Sequence, residues 1–174
     1  MKKVAVFGKP GSGKSTLSKA LSETKGITLH QLDSIVYQAN GKPIDRQSFD
    51  GIHDNILNSE HWVIDGLGPL ASFRKRLDEA DTLVYIDLPY PVCYWFVTKR
   101  LLKSLFVKPE GWPEGSSVFK GTRESYKMLK LSPSFWNDEF TQSLNKMAKH
   151  KTIHILRSTK ELEFFIQQLS KSKE

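Results

Sequence analysis

Gly8-Lys9-Pro10-Gly11-Ser12-Gly13-Lys14-Ser15 is the stretch of this sequence whose residue types and spacing point most directly to chemistry. It matches G-x-x-x-x-G-K-[ST] at every specified position. Gly8, Gly11 and Gly13 let the backbone curl until its N–H groups face one centre, and Ser12 sits within that anion cradle. A helix starting near Lys14 adds unpaired N–H groups and the positive end of its dipole. Lys14 has the reach for the β/γ-phosphates of ATP, Ser15 offers its hydroxyl to Mg2+, and Thr16 falls where an α-phosphate would lie. An ordinary glycine-rich turn would need neither the Lys-Ser pair nor the helix behind it.

Two carboxylates stand where a strand should end. Asp33 follows Ile27-Thr28-Leu29-His30-Gln31-Leu32, and Asp65-Gly66 follows His61-Trp62-Val63-Ile64. Ligands of open α/β sheets bind beyond that edge. Asp65 is therefore expected to organise Mg2+ opposite the loop, together with Ser15. Asp33 has three chemistries open to it: a water-mediated Mg2+ ligand, a partner for a substrate hydroxyl, or a base. A turn aspartate is the plain alternative.

The cations come later in the chain. Arg74 shares a helix face with Leu70 and Leu77, so it is expected to point inward, with Arg76 elsewhere. A planar guanidinium suits a phosphate. Arg100 lies mid-helix, where it could meet phosphates or stack on a base. Arg123 flanks a turn-rich stretch and is the candidate cation of a basic lid over approximately residues 105–124, with Lys108 and Lys120. Arg46 is a further phosphate candidate. Arg157 and Ser158 follow the last strand, where a loop can line an adenine. His30 and His61 lack metal-ligand spacing and are read as structural.

Positioning these groups takes alternating strands and helices. Val4-Ala5-Val6-Phe7, the Asp33 and Asp65 strands, Asp81 to Pro89 (a strand and its exit) and Thr152 to Leu156 read as strands. Ser48 is expected to cap a helix through Leu57. Pro91 is expected to open a helix to Ser104 whose core residues are Val92, Trp95, Phe96 and Leu102. Trp136, Phe140, Leu144 and Met147 form a stripe that reads as core. Right-handed crossovers then make a three-layer α/β sandwich. The 174 residues fit one domain, 1–174, without internal repeats.

The net charge of +7 and pI of about 9.4 suit a triphosphate pocket as well as a polyanion, and no long basic arm concentrates the lysines. Nucleic acid is thus an unlikely main ligand. No apolar run has membrane-spanning length and the N-terminus lacks a signal-peptide pattern. With Cys93 as the lone cysteine, a cytoplasmic location is expected.

Gly8 to Thr16 resembles the G-x-P/S-G-x-G-K-S-T loop of adenylate kinase-like proteins. Leu32-Asp33-Ser34-Ile35-Val36-Tyr37, Trp62-Val63-Ile64-Asp65-Gly66, Ala80-Asp81 with Val84 to Pro89, and Leu156-Arg157-Ser158 resemble the subgroup labelled DNA topology modulation proteins. The resemblance implies the P-loop nucleoside/nucleotide kinase fold, with a five-stranded parallel sheet ordered 2-3-1-4-5 and a short lid. Asp65-Gly66 is similar to the start of the adenylate kinase Asp-Gly-Phe-Pro-Arg stretch, though here the first arginine comes only at Arg74.

The expected activity is transfer of the γ-phosphate of Mg·ATP to a small acceptor, a nucleoside monophosphate being the leading expectation and a hydroxyl compound the alternative, with Lys14, Asp33, Arg74, Arg100 and Arg123 doing the work. A nucleoside monophosphate would call on the arginines. A hydroxyl acceptor, such as a nucleoside or sugar acid, would call on Asp33. A nucleotide-dependent regulator or ATPase acting on nucleic acid or protein is the third possibility. Monomer and homodimer both remain open.

Overall fold

A computed structural model describes residues 1–36, 43–104 and 118–171. The elements alternate as the sequence suggests: β1 (Lys3–Gly8), α1 (Lys14–Lys25), β2 (Leu29–Gln31), α2 (Leu32–Val36), α3 (Arg46–Leu57), β3 (Trp62–Asp65), α4 (Leu70–Glu79), β4 (Thr82–Ile86) and α5 (Tyr90–Ser104). Then come α6 (Val118–Leu131), a 3-10 turn (Ser132–Ser134), α7 (Asp138–Met147), β5 (Thr152–Leu156) and α8 (Thr159–Lys171). The strands form one parallel sheet ordered β2-β3-β1-β4-β5.

Strand alternation explains the layers. In β1, Val4 and Val6 face one core with Leu17, Leu21, Val97, Leu162 and Leu169, which belong to α1, α5 and α8. Ala5 and Phe7 face the other, with Phe49, Phe73 and Leu144 of α3, α4 and α7. Both faces of β1 are covered, so its run is continuously apolar. Phe7 stacks on Tyr85 at 5.6 Å and meets Phe73 edge-on at 5.2 Å. Trp136 stacks on Tyr85 at 5.2 Å, so the aromatic stripe is core as expected. Trp136 itself precedes α7, which Asn137 caps through the Phe140 amide at 2.9 Å.

Several local expectations change. The second strand is shorter than the apolar run, because the chain turns into α2 at Leu32. Leu32 is buried over Gly66 and Gly68, where added Cβ atoms would sit 3.3 and 3.0 Å from its side chain. Asp45, not Ser48, caps α3, accepting from the Ser48 amide at 2.9 Å. On α5 the inward stripe is Cys93 and Val97; Trp95 and Leu102 are more than half exposed. The reason is close approach: a Cβ on Gly11, whose φ is 73°, would lie 2.6 Å from the Cys93 carbonyl and 2.8 Å from Val97. No described helix is long and apolar enough to cross a membrane.

His53 of α3 is 1% exposed, and neither ring nitrogen has a hydrogen-bond partner among the described residues. It stacks on Phe49 at 5.7 Å. Burial, and next the charge of Arg76, push its pKa down from 6.5 to about 4. The unfolded chain therefore takes up this proton first. Stability from neutral His53 should be complete above pH 6.5 and be lost as pH falls toward 4. Urea melts across that window should show the loss, and His53→Phe should flatten it relative to wild type.

Candidate active site

The loop after β1 is held open by its own backbone. Gly13, at φ 90°, precedes α1 without any side-chain cap, leaving the first N–H groups of the helix for a ligand. The Lys9 carbonyl accepts from the Ser12 amide at 3.2 Å and from Lys14 Nζ at 2.9 Å. Ser12 is buried, whereas Ser15 and Thr16 are exposed. Lys14 thus sits on a neutral acceptor that phosphate oxygens can replace.

Asp65 ends β3 beside this loop, since β3 pairs with β1 through Val6. Its Oδ2 accepts from Ser15 Oγ at 2.8 Å. The residue is 5% exposed and its Oδ1 finds no hydrogen-bond partner among the described residues. Burial raises its pKa, with Lys14 and the Ser15 bond opposing that rise. An orphaned buried carboxylate oxygen beside a serine hydroxyl is a hard, all-oxygen donor set, and it fits Mg2+. The positions expected for Ser15 and Asp65 are therefore brought together.

Asp33 lies in the first turn of α2 rather than at a strand end, and it is exposed. The sheet still places it near the loop, because Gln31, two residues earlier, is paired with Asp65. Its negative charge adds to the rise of the Asp65 pKa and favours the charged form of Arg100. Arg100, half-buried on α5, donates to Ser125 Oγ of α6 at 2.9 Å. Burial lowers its pKa, Asp33 opposing. Asp33 thus acts electrostatically on both Asp65 and Arg100.

The inward arginine of α4 is Arg76, not Arg74. Ser72, Phe73, Arg76 and Leu77 are buried; Arg74 and Leu70 are exposed. Taking the phase from Leu70 instead of Phe73 rotates the helix face, and Phe73 was the signal available in the sequence. Arg76 Nη2 donates to the carbonyls of Gly66 at 2.7 Å and Leu67 at 2.9 Å, clamping the turn that follows Asp65. Burial pushes its pKa down to about 9, with Asp65 opposing. Arg76→Ala should cost about 3 kcal/mol in urea unfolding, because it leaves a cavity and two unpaired carbonyls. Arg76→Met should restore packing but only part of that stability.

The remaining candidates are spread out. Arg123 and Lys120 are exposed on α6. The rest of the expected lid, residues 105–117 with Lys108, lies outside the described residues, as does the turn at Asn40-Gly41-Lys42. Arg46 pairs with Asp50 at 2.6 Å and reaches Ser72 Oγ at 3.0 Å, tying α3 to α4. Arg157 is exposed, and its amide donates to Glu161 at 2.8 Å. Ser158 Oγ accepts from the Glu161 amide at 3.2 Å. The segment expected to line an adenine also caps α8, through the Ser158 hydroxyl. His30 and His61 line a surface cleft of about 390 Å3 with Thr28, Asn55 and Ser59. Thr28 and His61 precede β2 and β3, so this cleft opens toward the strand starts, away from Asp65.

This fold is that of shikimate kinases. The chain superposes on shikimate kinase from Acinetobacter baumannii in complex with shikimate with a TM-score of 0.57, at 15% identity, covering 97% of this chain and 90% of that one. For shikimate kinase from Bacteroides thetaiotaomicron the values are 0.54, 16%, 97% and 96%. For the enzyme from Aquifex aeolicus vf5 they are 0.50, 17%, 97% and 94%. No protein-family model and no curated protein matches the sequence. The likeness establishes an α/β P-loop kinase fold with sheet order 2-3-1-4-5.

Proposed function

We propose that the protein is an ATP-dependent phosphotransferase whose acceptor is a small molecule presenting a hydroxyl group. The observation that carries this reading is the Ser15–Asp65 bond across the loop, with Asp33 close enough for its charge to act on Asp65. A donor half and a carboxylate for the acceptor meet at one sheet edge. Arg74 and Arg123, both exposed, do not add visibly to that group.

In this reading the loop N–H groups and Lys14 hold the triphosphate, Lys14 exchanging the Lys9 carbonyl for phosphate oxygens. Ser15 and Asp65 would hold Mg2+, which neutralises phosphate charge when bound. Asp33 orients the acceptor hydroxyl and takes its proton as that oxygen bonds to the γ-phosphorus. The bond from the γ-phosphorus to the bridging oxygen breaks, and ADP leaves. Arg100 balances the carboxylates.

Arg100 is also the feature that favours a second acceptor, a nucleoside monophosphate, as in the adenylate kinase-like resemblance and its topology-modulation subgroup. A screen of nucleosides, sugar acids, other small alcohols and nucleoside monophosphates with Mg·ATP, read by ADP release and product mass, separates the two. A phosphorylated alcohol is expected. A diphosphate product would move the acceptor to the second reading, and ATP hydrolysis with no phosphorylated product would sink the kinase.

A further inference from the structure

The phosphate loop contains one charged side chain that the donor chemistry leaves aside. Lys9 follows the first glycine, yet its side chain is only 3% exposed. Its ammonium donates to Oδ1 of Asp87, the residue after β4, and lies 4.8 Å from the centroid of the Tyr90 ring. Tyr85 donates its hydroxyl to the same Asp87 oxygen at 3.0 Å. Burial, and then the Asp87 charge, push the Tyr85 hydroxyl far up, so it remains a donor. The Asp87 amide is tied in turn to the Leu156 carbonyl of β5 at 2.8 Å. Asp87 is therefore a fixed post, and Lys9 is fastened to it.

The main chain of the same lysine shapes the cradle. The Lys9 carbonyl closes the loop onto the Ser12 amide and holds Lys14 Nζ. Pro10 restricts Lys9 to extended backbone, which limits how its two ends can move independently. A buried ammonium is expensive, and an apolar side chain of similar length would fill its space without that cost. Packing alone does not account for a lysine here.

We propose that Lys9 and Asp87 are positioning residues of the nucleotide site. Their ion pair pins the first turn of the loop to the exit of β4. The cradle is then formed, and Lys14 held beside it, before the triphosphate arrives. This rests on the P-loop reading above and deepens it. Preformed geometry lowers the ordering cost of binding, so its loss appears in affinity.

The test compares wild type with Lys9→Met, Asp87→Asn and the double variant. Affinity for the Mg2+ complex of a non-hydrolysable ATP analogue is read by calorimetry, beside melting temperature. Asp87→Asn strands the buried ammonium and should melt earlier; the double variant removes both charges and should regain the lost stability. Affinity should nonetheless stay weakened about tenfold in Lys9→Met and in the double variant. A double variant that regains wild-type affinity together with stability would make the pair merely structural and overturn the inference. So would variants that bind as wild type does. A wild type that binds no nucleotide would overturn the P-loop reading and this inference with it.

Discussion

Lys14→Ala should lower phosphoryl transfer by about 1000-fold or more while leaving the fold intact. Transfer of a phosphoryl group depends on charge neutralisation and alignment, and in the proposed function Lys14 is the loop cation that holds the donor phosphates. In the free protein it is partly exposed and donates to the Lys9 carbonyl. Its removal should therefore change stability by less than about 0.5 kcal/mol. A second effect works in the same direction. Lys14 is the foremost charge opposing the rise of the Asp65 pKa, so without it Asp65 ionises less readily and makes a poorer Mg2+ ligand. Circular dichroism and urea melts would verify the fold, and calorimetry with the ATP analogue would show the affinity loss. Unchanged transfer would remove the loop from the mechanism.

Asp33→Asn should lower kcat about 100- to 10,000-fold if this carboxylate takes the proton of an acceptor hydroxyl. Asparagine keeps the size and hydrogen-bonding capacity but cannot accept that proton. Asp33 is exposed in the first turn of α2, where its charge suits the helix dipole, so the stability cost should be within about 1 kcal/mol. Nucleotide affinity should hold, because the loop and the Ser15–Asp65 bond are untouched. A raised acceptor KM with kcat unchanged would mean that Asp33 only binds the acceptor. Full activity with a nucleoside monophosphate would exclude it as the base.

The fold was largely legible because its signals are local. Continuous apolar runs announced the strands, and the sheet order agrees with the one implied by the resemblance. Ser15 and Asp65 were legible for the same reason: one belongs to a complete motif, the other to an apolar run ending in acid. Helix phase was less legible. On α4 and α5, counting from Leu70 or Trp95 selects a face that is exposed, since a helix of mixed residues offers several apolar origins. The neighbours decide among them. On α5 the inward pair is Cys93 and Val97, which pack into the core where Gly11 comes closest.

The amino-acid order by itself determined the glycine-rich loop, its lysine and hydroxyl, and the strand that presents Asp65, because each depends on residues adjacent in the chain. Only the tertiary structure decided that Arg76 clamps the turn after Asp65, and that Lys9 is fastened to Asp87. It also brought Asp33 and Arg100 into one electrostatic group. Those relations join residues 9 to 78 positions apart. Their physical cause is burial: a charge withdrawn from water must find its partner wherever packing has placed one.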